Sequence, residues 1–226
     1  MRSYPVIYQS GEAQIIEKKS RFLARVFGIH SLKDVSYGLE QSKKQYFDAS
    51  HHCYAYIFGE TNPLQKFSDD KEPAGTAGRP ILTVLDKKNL RNTCLIVVRY
   101  FGGVLLGSGG LVRAYTKAAQ AAIEDSQIVW RIPAKRYTLL ADYSMIGKLS
   151  YLFSRLDLVQ LDTTFEQKVS YTLLLPVDKE EQLKKELLRQ NHSGIELIGG
   201  QVVFYGMWKN QVVLLPDGEV SSTEST

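Results

Sequence analysis

The side chains best suited to chemistry gather around two glycine-rich stretches, DDKEPAGTAGRP at 69–80 and VRYFGGVLLGSGGL at 98–111. In the first, Asp69, Asp70 and Glu72 lie where His51 or His52 could join them, an arrangement suited to acid–base hydrolysis or to a metal ion. Acids in a glycine–proline loop also serve simply to solvate it or to cap the next helix. Arg79 and Arg99 each adjoin glycine backbone, and a guanidinium there pairs with phosphate or carboxylate while stacking on a ring such as Tyr100 or Phe101. Burial against Asp69, Asp70 or Glu72 is the competing role for both arginines. Gly107, Ser108, Gly109 and Gly110 open a helix, where free amide groups and the helix dipole favour a phosphate or other anion. The lysine and hydroxyl pair of a P-loop and the spacing of a dinucleotide fingerprint are both missing, so an NTPase is not supported. No serine, threonine or cysteine stands beside an activating base, which argues against covalent catalysis.

Composition narrows the setting. Hydrophobic residues make up 44% and charged residues 23% of 226, as in an ordinary globular protein. No apolar stretch is long enough to span a membrane and the first residues lack a secretory pattern, which predicts a cytoplasmic protein. With only Cys53 and Cys94, neither a disulfide framework nor a structural zinc site is expected, and no cofactor is implied. The net charge of +4 is unevenly spread: residues 1–130 carry 17 Lys and Arg against 12 Asp and Glu, the rest 11 against 12. The positive excess lies with the glycine stretches and favours phosphates or an acidic partner, at a density far below that of a dedicated DNA binder.

The elements that must position these residues fall into two halves. Strands are predicted over 13–16 and 21–29 about a basic turn, and a helix from Ser31 and Asp34 to about 47. A strand follows over 51–58, with His52, Tyr54, Tyr56 and Phe58 on one face and His51, Cys53, Ala55 and Ile57 on the other. A short helix from about 75–77 to 85, a central strand over 93–100 and a helix over 108–125 complete residues 1–130. Residues 131–216 read strand, helix, strand, strand, helix, strand, the order of a ferredoxin-like domain. Residues 217–226 read as a disordered tail. The fold class expected is α+β in two domains.

The segments DKEPAGTAGRP (70–80) and VRYFGGVLLGSGGLVRAY (98–115) resemble the signature of the IMPACT family, and ASHHCYAY (49–56) is similar to its upstream motif. The second half looks like the small domain of unknown function of the bacterial two-domain, YigZ-like branch. The sequence departs at Lys71, where the pattern has glycine, and at His52, where it has asparagine. The resemblance implies a first domain like the second domain of a small-subunit ribosomal protein and a second like the last domain of elongation factor G. Eukaryotic relatives bind the large activator of a starvation-response kinase and so restrain phosphorylation of an initiation factor. The implied role is regulatory, non-catalytic and linked to translation and stress, through RNA, the ribosome or a translation-associated protein. The expected contact is a basic groove lined by Arg79, Arg99 and Arg113. It includes His51, Asp70, Glu72, Gly75, Thr76 and Gly78 from the first stretch, and Tyr100, Phe101, Gly102, Gly103 and residues Gly107 to Gly110 from the second. The alternative is a hydrolase or transferase acting on a phosphorylated small molecule through Asp70, Glu72 and His51.

Overall fold

A computed structural model describes residues 2–189 and 194–217; most of the expected tail, from 218 onward, lies outside the described residues. The chain divides into two compact units, the first over Tyr4–Trp130 and the second over Arg131–Leu215.

The first unit runs β1 (Tyr4–Gln9), β2 (Gly11–Glu17), β3 (Ser20–Gly28), α1 (Leu32–Gln45), β4 (His51–Phe58), β5 (Leu64–Ser68), α2 (Gly78–Lys87), β6 (Thr93–Tyr100) and α3 (Gly107–Asp125). Its sheet has the order β2-β3-β6-β4-β5, with every neighbouring pair antiparallel. β6 is central and buried from Thr93 to Arg99, as its unbroken β-branched and aliphatic run requires. Alternation along β4 divides the sheet between two layers. Cys53, Ala55 and Ile57 pack with Phe22, Leu95 and Val97 beneath α2 and α3, which contribute Ile81, Leu85, Tyr115 and the alanines 118, 119 and 122. Tyr56 instead joins Ile96 and Val98 under α1, whose Val35 is buried. The small side chains of α3 let that helix lie close to the sheet. The Ser31 amide donates to the Asp34 carboxylate (2.8 Å) and fixes the start of α1.

Several elements differ from the sequence reading: strands at Tyr4–Gln9 and Gln211–Leu215 were not expected, and the strand expected from 135 begins at Gln127. β5 went unrecognised because this edge strand is almost wholly exposed and lacks apolar alternation. α2 begins at Gly78 and not at 75–77, since residues 69–77 are folded into a loop that caps it. In the second unit the strand expected from 200 to 208 begins at Ile195 and passes through Gly199 and Gly200, both at positive φ, in a bulge that reads as a strand break.

The second unit takes in most of β7 (Gln127–Ala141), then α4 (Ile146–Arg155), β8 (Val159–Phe165), β9 (Val169–Pro176), α5 (Glu180–Arg189), β10 (Ile195–Trp208) and β11 (Gln211–Leu215). The strands follow the order β11-β10-β7-β9-β8, antiparallel throughout. Tyr137, Leu139, Tyr171 and Leu173 meet Leu149, Leu152, Phe153 and Leu183 of the two helices.

Candidate functional site

The first glycine stretch closes upon itself. Asp69 accepts the amide N–H groups of Gly75 (2.9 Å), Ala77 (3.0 Å) and Gly78 (2.8 Å), so its carboxylate caps α2 and occupies donors that an anion would need. The Thr76 hydroxyl donates to the Pro73 carbonyl (2.6 Å) and is buried. Gly78 touches the Ser68 backbone so closely that a Cβ would stand 2.7 Å from its carbonyl oxygen. Gly75 is exposed at positive φ. Asp70 accepts the His52 amide (2.6 Å), and its carbonyl receives His51 Nδ1 (2.7 Å). A carbonyl only accepts, so His51 carries its proton on Nδ1 and turns Nε2 toward Glu72, 3.8 Å away.

Glu72 is the centre of the arrangement. Its side chain is 3% exposed, and Oε1 accepts both Arg99 Nη1 and the Tyr115 hydroxyl at 2.7 Å. Arg99, 5% exposed, lies over the rings of Phe22 and Phe101 and reaches the Ser20 hydroxyl at 3.5 Å. The pair joins the first glycine loop to the central strand, and Tyr115 ties both to α3. Cys53 donates to the Asp69 carbonyl (3.0 Å) and to the Tyr115 oxygen (3.4 Å). Burial pushes the Cys53 thiol up to about 12 and the Tyr115 phenol upward as well, so both stay protonated at neutral pH.

The second stretch is anchored at its start and open beyond it. The Gly102 amide donates to Ser20 Oγ (3.2 Å), and a Cβ on Gly102 would stand 2.2 Å from the Lys19 carbonyl carbon. Gly103 and Gly107 have positive φ and open space around them. Phe101 before them and Val104 and Leu105 between them face solvent, Leu105 at 83% exposure. Tyr100, half-buried, donates to Asp48 (2.8 Å) beneath the Arg21 guanidinium. Ser108, Gly109 and Gly110 form the first turn of α3, and Arg113 reaches back over it, its Nη1 3.6 Å from a Cβ position on Gly109. Arg113, Lys117 and Lys18 share a hollow of about 220 Å³ with Glu17 as its carboxylate.

The expected single groove of three arginines is therefore corrected. Arg99 is internal and neutralised by Glu72; Arg79 lines a separate cleft between α2 and α3 with Lys87 and Lys88; Arg113 faces the β2–β3 turn. Glu72, Thr76 and Gly78 are likewise structural. Asp69 takes the helix-capping role open to the acids of this loop and not the pairing with an arginine, whereas Ser20 and Tyr115 were missed as partners. Only Tyr115 left a signal, since a tyrosine in the buried stripe of an alanine-rich helix needs an acceptor for its hydroxyl. Among the described residues no group of three His, Cys, Asp or Glu side chains is placed to hold a metal, and no helix is long and apolar enough to cross a membrane.

Fold and site define a two-unit α+β protein whose glycine motif is locked by a buried ion pair and shows solvent a loop flanked by cations. The Impact N-terminal domain family matches residues 18–123, and a domain of unknown function, DUF1949, matches residues 139–189. The IMPACT family member YvyE of Bacillus subtilis is 40% identical over 149 residues, covering 66% of this chain and 69% of that protein. The IMPACT family member YigZ of Escherichia coli is 31% identical over 183 residues, covering 80% and 90%. A crystal structure of a hypothetical protein superposes with a TM-score of 0.57 at 28% identity, covering 89% of this chain and 98% of that one. The chain belongs to the IMPACT family.

Proposed function

We propose that this protein is a non-catalytic binding protein of the translation apparatus that contacts RNA, alone or within the ribosome, through the second glycine stretch and the β2–β3 turn. The observation that carries this reading is the closure of Glu72 by Arg99 and Tyr115. A general acid or base must reach substrate, and this carboxylate is consumed by two internal donors. What remains exposed is Phe101, a stacking surface of the kind RNA-binding proteins use, beside a hollow where Lys18, Arg113 and Lys117 outnumber Glu17. Family membership supplies translation as the setting, through the role that the resemblance implies for eukaryotic relatives.

The test is co-sedimentation with ribosomes and total RNA across a salt series, comparing wild type with Arg113→Ala/Lys117→Ala and Phe101→Ala. Single-stranded binding loses about 0.7 in log–log salt slope per phosphate contact removed, so the double variant flattens the slope by about 1.4. Absence of binding at low salt, or an unchanged slope in a folded double variant, refutes the reading.

A further inference from the structure

The face of the first sheet opposite α2 and α3 carries a second feature. One helix, α1, covers it, packing against β4 and β6. Cross-strand register sets two rows on this face toward the β2 edge, Gln14–Leu23–Val98 and Glu12–Arg25–Ile96. Leu23 and Phe27 are only partly covered, although their neighbours Ile96 and Val98 are buried. The reason lies in the flank that α1 turns toward them: positions 38, 42 and 45 fall on one side of a helix and hold Gly38, Ser42 and Gln45, which bring no apolar side chain, although the Gly38 backbone rests on the Phe27 ring, where a Cβ would stand 2.5 Å from Cζ. The result is a pocket of about 260 Å³ with a floor of Leu23, Phe27, Ile96 and Val98, and Tyr46 at its side. The exposed residues Gln14, Gln45 and Arg25 complete its lining, the Arg25 guanidinium lying 3.5 Å from Glu12 and over the Phe27 ring at 5.8 Å. An apolar floor with a few convergent polar groups is the make-up of a small-ligand site. A cavity of about 150 Å³ holds benzene, so this one takes a heterocycle of one or two rings.

We propose that the pocket beneath α1 binds a nucleobase, its faces against Tyr46 and the aliphatic floor and its donor–acceptor edge read by Gln14 and Gln45. An amide side chain offers one donor and one acceptor side by side, the complement of a base edge and not of a plain hydrocarbon. The base belongs to a free nucleoside or to a strand following the β2–β3 hairpin. Successive rows on β3 are about 6.6 Å apart, and the row before the pocket is Arg21 stacked over Tyr100 at 4.7 Å. The inference goes beyond the RNA surface proposed above and stands on the pocket alone.

The experiment titrates the full chain with adenosine, guanosine, cytidine and uridine, with indole as an apolar control, and follows the methyl NMR signals of Leu23, Ile96 and Val98. At least one nucleoside is expected to shift these signals saturably. Leu23→Trp, which fills the pocket, abolishes the shifts; Gln14→Leu, on the edge strand, weakens nucleoside binding about tenfold and leaves indole unaffected. Short homopolymeric RNAs that shift the same methyls assign the base to a strand; shifts with nucleosides alone assign it to a free ligand. Failure of all four nucleosides, preference for indole, or binding indifferent to Gln14→Leu overturns the proposal. Nucleoside shifts that persist in Arg113→Ala/Lys117→Ala, with no RNA co-sedimentation, would refute the RNA reading and leave the pocket standing.

Discussion

Replacing Glu72 by Gln tests whether the first glycine stretch is held by charge. The amide keeps the volume of the side chain, and its oxygen in the place of Oε1 still accepts both Arg99 and Tyr115, but the 5%-exposed guanidinium loses its counter-charge. Stranding one member of a buried ion pair costs about 3–5 kcal/mol. Against a typical domain stability of about 5–15 kcal/mol, this is a large share. For a unit the size of Tyr4–Trp130, each kcal/mol corresponds to roughly 3–5 °C, so the melting temperature falls by about 9–25 °C. The companion Glu72→Gln/Arg99→Met removes the stranded charge and keeps an unbranched chain against Phe22 and Phe101. It is expected to recover to within about 2 kcal/mol of wild type, because apolar replacement of a buried pair is often nearly neutral. Calorimetry gives the transition, and amide exchange along β4 and β6 attributes it to the first unit. A Glu72→Gln protein within about 1 kcal/mol of wild type, or a double variant no better than the single, refutes the reasoning.

Asp69→Ala removes the acceptor of three amide groups at the start of α2 and is expected to cost about 1–2 kcal/mol, with faster amide exchange at Gly75, Ala77 and Gly78; unchanged exchange there contradicts the capping role. Gly102→Ala drives a Cβ into the Lys19–Ser20 backbone, so the loop should lift from Ser20 and stability should fall by about 1–3 kcal/mol in urea unfolding. Hydrogen bonds from Lys135, Lys184 and Tyr137 hold the Glu180 carboxyl down at about 2 against an ordinary 4.5. The folded state binds that proton less readily than the unfolded one, so the stabilisation is whole above pH 4.5 and is lost as pH falls toward 2; Glu180→Gln should flatten this acid limb in circular dichroism. Cys53, its thiol raised to about 12, should resist iodoacetamide at mildly alkaline pH in the folded chain and react on unfolding.

Sequence alone determined what local physics can determine. The unbroken apolar run of 93–100 made a central strand, the alanine stripe of 111–122 made a helix able to lie close to a sheet, and the alternation of 51–58 divided that strand between two layers. These signals lie within a few residues of one another, where side-chain period and backbone geometry are coupled directly. It also brought forward both glycine stretches and the two roles open to Arg99. Tertiary structure decided between those roles. Arg99 meets Glu72 across 27 residues and Tyr115 meets it across 43, contacts that depend on strand order and helix placement and leave no mark in local spacing. The same holds for Gly102 against the Lys19–Ser20 backbone and for the pocket beneath α1. There the flank of Gly38, Ser42 and Gln45 becomes meaningful only once register sets Leu23 and Val98 beneath it. Folding turned an array of acids and arginines into a neutral internal clamp, because a buried charge must be matched and the nearest match lay on another element.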